Sequence, residues 1–243
     1  MALDDYTVTT DVERAVGQGI LQESEFINSP LGSELSLNDG RKFRYCKNGA
    51  VALAAGKLAS SPAWVSTETA LAVNTAAKGD MVLLITTGSA VLEDAYKDGF
   101  VVVEAGTGAG QILKISANEA ASTAEGRFDL YDPVRVAFAA GDTVGLVYNR
   151  FSGTIATVDT DGTETETPVG VPLIPVSIGY YYWAQFAGLC NVLCDGTPAI
   201  GTPLMRGAVA GALALATSAF KEIATVHHTS VDTEYRPVIL SIA

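Results

Sequence analysis

From residue 39 onward the chain is a run of short apolar or alternating segments, each cut off within a few residues by glycine, Asp-Gly or proline. This punctuation constrains the fold more than any other feature. Asn38-Asp39-Gly40 is a turn signal, and Arg41 to Tyr45 then alternates polar and aromatic residues as a half-buried strand does. Val51 to Leu53 and Lys57-Leu58 follow, separated by Gly56. Met81 to Thr86, Phe100 to Glu104, Gln111 to Ile115, Arg127 to Tyr131 and Val144 to Tyr148 repeat the theme, several of them after Asp-Gly or Gly-Asp. Strands recurring about every 10–15 residues, with no long amphipathic helix between them, predict an all-β sandwich or barrel of short antiparallel strands and disfavour a parallel α/β sheet.

The flanks are read as follows. Residues 1–38 carry scattered apolar residues among Gly17, Gly19, Asn28, Pro30 and Gly32, which predicts an extended N-terminal arm with little core of its own, suited to reaching a neighbour. Residues 39–168 form a first β region. It closes on the Thr- and acid-rich stretch 153–168, read as a solvent-facing hairpin or linker. Residues 169–243 form a second β region, in which Pro172 and Pro175 argue for edge strands. Tyr180, Tyr181, Tyr182, Trp183 and Phe186 carry the heaviest aromatic load and are candidate core or interface anchors, core before interface. Gly188 interrupts, and a strand resumes from Leu189 to Cys194. Residues 205–220 are read as strands and turns, because Gly207 and Gly211 would each cost a helix about 1 kcal/mol, with a short helix as the alternative. Arg236 to Ile242 is a final strand paired in the core. Phe43 to Gly49 with Gly56 and Leu58 echoes Trp183 to Gly188 with Gly201 and Leu204. The echo admits two readings: the second β region shares one barrel with residues 39–66, the rest being an insertion, or two copies of one motif lie in tandem.

Composition narrows the class. Hydrophobic residues make up 48% of the 243 and charged residues 17%, against about 25% in an ordinary soluble domain. A charge-poor surface leaves apolar patches to be covered by other subunits, unless the chain is a well-packed monomer rich in Ala and Gly. The net charge of −12 and the absence of any long basic run argue against nucleic-acid binding, which needs Lys and Arg to displace counterions. The densest basic cluster, Arg41, Lys42, Arg44 and Lys47, is read as a solvated strand face, or as a contact for an acidic neighbour. The opening Met-Ala-Leu-Asp-Asp is acidic and lacks an apolar segment, so no signal peptide is expected. The longest apolar stretch, Gly207 to Ala216, is too short to span a bilayer.

No motif for reaction chemistry stands out. Gly106, Gly108 and Gly110 lie between two predicted strands, so a hairpin explains them better than a phosphate loop, which needs a helix behind it. His227 and His228 are adjacent and on a strand would face opposite sides; Asp232 and Glu234 lie close in sequence. Cys46, Cys190 and Cys194 are read as small buried hydrophobes, since Cys190-x3-Cys194 has no second pair to complete a zinc site. Glu93-Asp94, Asp159 and Asp161 sit in hydrophilic turns. No catalytic residue, metal or cofactor is expected.

The order of motifs carries a resemblance. Leu92 to Ile115 runs through Tyr96, Gly99, the valine strand 101–103, Gly106-Thr107-Gly108 and Lys114-Ile115. Phe128 to Pro133, Val144 to Asn149, Asp39 to Tyr45, Val169 to Pro172 and Tyr182 to Gln185 with Gly188 fit the same pattern. Together, over roughly residues 39–243, they resemble structural proteins encoded beside the major capsid gene of tailed bacteriophages. The resemblance implies a decoration (cement) protein on the outer capsid surface of the virion, synthesised in the host cytoplasm. It implies a homotrimer, with the major capsid protein as partner and no nucleic acid, membrane or cofactor. The β body would sit over junctions between capsomers, with the arm and exposed loops clamping the shell. Other virion parts (a head fibre or a tail or adaptor subunit) remain open, as does a carbohydrate-binding β module using an exposed Trp64 or Trp183.

Overall fold

A computed structural model describes residues 17–157, 165–216, 222–229 and 231–242. Chain order begins with β1 (Glu34–Ser36), β2 (Lys42–Asn48) and β3 (Ala59–Ser60). It continues with β4 (Leu71–Ala72), β5 (Val82–Thr86), β6 (Ala90–Val91), β7 (Phe100–Ala105), β8 (Ile112–Asn118), β9 (Ala121–Ser122), β10 (Glu125–Leu130) and β11 (Thr143–Val147). It ends with β12 (Ser152–Ala156), β13 (Pro168–Pro172), β14 (Tyr181–Leu193), β15 (Pro203–Arg206), β16 (Leu213–Leu215), β17 (Ala224–Val226) and β18 (Tyr235–Ser241). One 3₁₀ turn, Ser66–Glu68, is the sole helical element among the described residues. The protein is all-β, as its turn punctuation predicts.

The chain divides into two compact units: residues up to Pro62 together with those from Arg150 onward, and Ala63–Asn149. The division therefore does not fall at residue 168, where the sequence suggested it. The cause is β12, which pairs in parallel with β2 and antiparallel with β3, so the stretch after Arg150 belongs with the flanks. Nor are residues 153–157 a solvent-facing linker. Thr154 and Thr157 are buried. Thr154 Oγ1 donates to Lys47 O and shares a hydrogen bond with the Tyr182 hydroxyl, and Thr157 shares one with Ser60. Threonines read as solvent-loving are here satisfied inside the core. Residues 158–164 of that stretch lie outside the described residues.

In the larger unit the strand ladder closes on itself as β2-β12-β3-β13-β14 and back to β2, a five-stranded ring. β13 sits between β3 and β14, so it is no edge strand. Pro168 and Pro172 stand at its two ends, where a missing N–H costs least. β14 runs unbroken for 13 residues. Its first half pairs with β2 and β13, and its second half with β18. Gly188, expected to interrupt it, takes φ +85° beside a register shift between Gln185 and Ala187. A Cβ there would lie 2.9 Å from Gly40 O, so only glycine fits. β18, β17, β15 and β16 extend the sheet beyond β14, and residues 203–215 are strands and turn, not helix.

The register explains the dense aromatic run. Trp183 pairs with Tyr45 and Tyr182 with Cys46, and successive residues face opposite sides. One side forms a cluster of Ile20, Phe43, Tyr45 and Trp183; the other packs Cys46, Leu53, Val169, Val176 and Tyr182. Both faces of β2 and of the first half of β14 are buried, so those stretches do not alternate cleanly, whereas the second half of β14 alternates with Leu189 and Asn191 exposed. The cover on the first face is the segment expected to be a free arm. Ile20 is buried, Leu31, Leu35 and Leu37 pack on the cluster, and β1 pairs with β2. Residues 17–37 are thus part of the body, and residues 1–16 lie outside the described residues. A second cluster, including Leu58, Val192, Leu204, Leu213, Val238 and Leu240, lies along β14, β18 and their neighbours.

The smaller unit forms its own ring. Its ladder runs β4-β11-β7-β8-β10-β5, and the bridge between Val73 and Ile85, with Asn74 N–H donating to Leu84 O at 2.9 Å, joins the ends. Leu83, Ile85, Val101, Ile115, Phe128 and Val144 fill it. Tyr96 stacks on Tyr148 at 4.2 Å between ring centroids.

Trp183→Ala removes the largest fully buried side chain together with its indole hydrogen bond to Gln18 O. Its expected cost is about 3–5 kcal/mol in urea unfolding. A loss under about 1 kcal/mol would contradict the double-sided burial assigned to β14.

Candidate functional site

The five aromatic candidates are absorbed by the larger unit. Tyr182 and Trp183 are fully buried, and Tyr180, Tyr181 and Phe186 are partly buried against three different clusters. Tyr182 and Trp183 are core residues, and the other three are half-buried at the margin of the core. Trp183, buried to 1% exposure, is out of reach of a glycan, whereas Trp64 is 54% exposed.

The basic cluster does not form one free face. Strand alternation puts Lys42 and Arg44 on one side of β2 and Lys47 on the other. Glu34 pairs with Lys42 at 3.4 Å and Arg44 at 3.3 Å, and Asp39 pairs with Arg41 at 2.7 Å. The Arg44 guanidinium lies 4.8 Å from the Phe186 ring centroid, and the Lys47 ammonium 5.5 Å from that of Tyr181. Arg44 also lines a small cleft with Arg150, Phe151, Val169, Phe186 and Ile242. Burial, with Arg44 second, lowers the pKa of Arg150 from the usual guanidinium range.

A carboxylate that the sequence reading passed over organises the glycine hairpin. β7 and β8 pair antiparallel around Gly106 to Gly110, with Gly106 at φ +103° and Gly110 at φ +87°. The buried Asp142 accepts the N–H of Ala139 and of Thr107, both at 3.0 Å, which ties the hairpin to the turn before β11. Those backbone donors, Ala139 first, hold its carboxyl below the ordinary range. The glycines therefore serve a hairpin without a following helix.

His227 and His228 are exposed, Asp232 accepts Gly196 N–H, and Glu234 pairs with Arg236. No group of three or more His, Cys, Asp or Glu could hold a metal among the described residues. Glu68 is buried and accepts from Ser89 Oγ at 2.5 Å. All three cysteines are buried and unbridged. Burial pushes the Cys190 thiol up to about 12 and the Cys46 thiol higher still.

Gln18 is the residue whose importance the sequence most concealed. It is 2% exposed. Its Nε2 donates to Gln22 O and Tyr181 O, its Oε1 accepts from Tyr45 OH at 2.7 Å and from Asn28 Nδ2, and its carbonyl accepts the Trp183 indole N–H at 3.0 Å. Nothing in its weakly patterned neighbourhood signals this. The alternation Leu35-x-Leu37 was the one visible sign that the segment docks.

The surfaces are more distinctive than any cleft. Across four neighbouring strands the register places Pro203, Thr225, Ile239 and Leu189 in one row, with Leu189 50% and Ile239 40% exposed. The next row holds Pro237 and Asn191, so neither row contains a Lys, Arg, Asp or Glu, although the Glu222 carboxylate accepts from Thr225 Oγ1 at 3.0 Å. No protein-family model, no curated protein and no solved structure matches this chain.

Two outcomes are expected. The Asp142 carboxyl has a lowered native pKa, so its contribution to stability is fully present above its unfolded value of about 3.9 and is lost as pH falls through the native value. Asp142→Ala should destabilise the protein at pH 7 and flatten its stability loss between about pH 5 and 2; unchanged slopes would contradict the clamp. The three thiols should resist a disulfide reagent at pH 8 in the native state and all react after denaturation. Fast native labelling of any one would contradict their burial.

Proposed function

We propose that this chain is a structural virion subunit that decorates and cements the capsid of a tailed bacteriophage from outside, binding across major capsid protein subunits as a homotrimer. The reading rests on the motif order over residues 39–243 and on a charge-poor composition in an acidic chain. The observation that carries it furthest is the outer face of β15, β17, β18 and β14, whose two central rows contain no Lys, Arg, Asp or Glu. Its apolar side chains are held by sheet register and cannot fold inward, because the inner face of the same strands is already packed with Cys190, Ala224, Val226, Val238 and Leu240. A rigid apolar face gains most when another protein covers it. We assign it to contact between copies of this chain. A glycan-binding reading retains one supporting residue, the exposed Trp64; binding on a glycan array that Trp64→Ala abolishes would favour it.

Purified protein should elute as a trimer and cosediment saturably with empty capsids lacking it. Failure to bind such capsids at any ionic strength would overturn the cementing role. A stable ring of another order would favour a tail or adaptor subunit.

A further inference from the structure

A second exposed apolar surface lies at one end of the larger unit, where three segments far apart in sequence meet. Glu23 accepts hydrogen bonds from Ser177 N–H and Ser177 Oγ, and Ser24 and Tyr181 exchange backbone hydrogen bonds at 2.9 and 2.7 Å. Asn48 Nδ2 donates to both Val51 O and Ser177 O at 3.0 Å, and Gly179 N–H donates to Gly49 O. The segments around residues 21–27, 49–51 and 177–179 are thereby fixed to one another.

From this junction Leu21, Phe26, Ile27, Val51 and Ile178 project into solvent, each more than half exposed, Phe26 at 74%. Their exposure is built in. Gln18 and Asn28 hold the loop from its buried side, and Ser24 Oγ both accepts from Phe26 N–H and donates to Phe26 O. A pliant loop would let Phe26 fold onto its own apolar neighbours; here the backbone of Phe26 is pinned, and its side chain stands 74% exposed. Fixed apolar groups of this kind mark binding surfaces, with the largest aromatic the usual anchor.

The charges on these segments say what covers them. Residues 18–29, 49–56 and 175–180 contain two carboxylates, Glu23 and Glu25, and no Lys or Arg. Lys47 stands at the margin, over the Tyr181 ring. Two copies of such a surface, each on a chain of net charge −12, would set like charges against each other. A partner with apolar side chains and a Lys- or Arg-bearing rim would instead gain from both features.

We propose that this end of the larger unit, centred on Phe26 and Ile178, is the docking face for a different protein whose contact surface is apolar with a basic rim. This rests on the cementing reading above, under which that partner is the capsid shell, while copies of the chain meet through the sheet face around Leu189 and Ile239.

The test is cosedimentation of the full-length protein with empty capsids lacking it, alongside sizing and a thermal melt of each variant. Phe26→Ser and Ile178→Ser, on two different segments, should each weaken capsid binding tenfold or more with elution and melting midpoint unchanged. Glu25→Lys should weaken it several-fold and reduce its sensitivity to salt. Leu189→Ser on the sheet face should disturb elution instead. If wild-type protein binds capsids and both Phe26→Ser and Ile178→Ser bind equally well, the docking face is wrong while cementing stands. If those variants lose the oligomer while the remaining copies still bind, the surface joins copies of this chain and the proposal falls. If wild-type protein never binds capsids, the cementing role falls and takes this face with it.

Discussion

The pairing of β2 with β14 is the constraint on which the larger unit depends. It joins Tyr45 to Trp183 and Cys46 to Tyr182 across more than a hundred residues of intervening chain, and it closes the five-stranded ring. Until those strands meet, neither the Tyr45–Trp183 cluster nor the cluster around Tyr182 has both its walls. Loop-closure entropy opposes so distant a contact, though it grows only slowly with loop length. The intervening residues close a ring of their own, from Leu71 to Val147, so in the native chain they are not a free loop.

Burial on both faces of one strand pair creates a second demand: the polar groups trapped there need partners, and Gln185 Oε1 is left without one among the described residues. Tyr182 finds Thr154, Tyr45 finds Gln18 and Asn28, and the Trp183 indole finds the Gln18 carbonyl. An unpaired group in such a place costs about 1–3 kcal/mol. Residues 17–37 therefore do more than cover an apolar face. They supply the hydrogen bonds without which Trp183 and Tyr45 could not be buried together, and the same bonds present Phe26 outward. Core and surface are linked through one side chain, Gln18.

Two unlike surfaces follow from this construction. The sheet beyond β14 has an inner face packed by aliphatic residues and an outer face without charge in its central rows. The end formed by the loop at Phe26 is apolar with carboxylates. Under the proposed cementing role, two such faces would serve two partners, because a single patch cannot complement itself and a basic-rimmed partner equally well. The basic cluster at Arg41 to Lys47 is not one free patch, since Glu34 and Asp39 pair with three of its four members and Lys47 lies on the other face of β2 from Lys42 and Arg44.

The strand-by-strand reading worked where the pattern is local. Gly and Asp-Gly punctuation, β-branched runs and alternation act over a few residues, so β5, β7, β8, β10, β11, the Gly106–Gly110 hairpin and the closing strand β18 were legible, whereas the two-residue strands β6 and β9 were not. What escaped was decided by partners distant in sequence. Pro172, in β13, looked like an edge residue because nothing nearby shows that β3 and β14 flank the strand. Threonines at 154 and 157 looked solvated because their hydrogen-bond partners lie at Lys47, Tyr182 and Ser60. The segment before residue 38 looked like a loose arm because its apolar residues are spaced to fit the aromatic face of another strand pair. The sequence by itself determined an acidic, charge-poor, all-β chain, since composition and turn chemistry are properties of neighbouring residues. Only the tertiary structure decided where the rings close, which aromatic residues are core and which hydrophobic side chains stay exposed, because burial is a property of what the rest of the chain brings alongside.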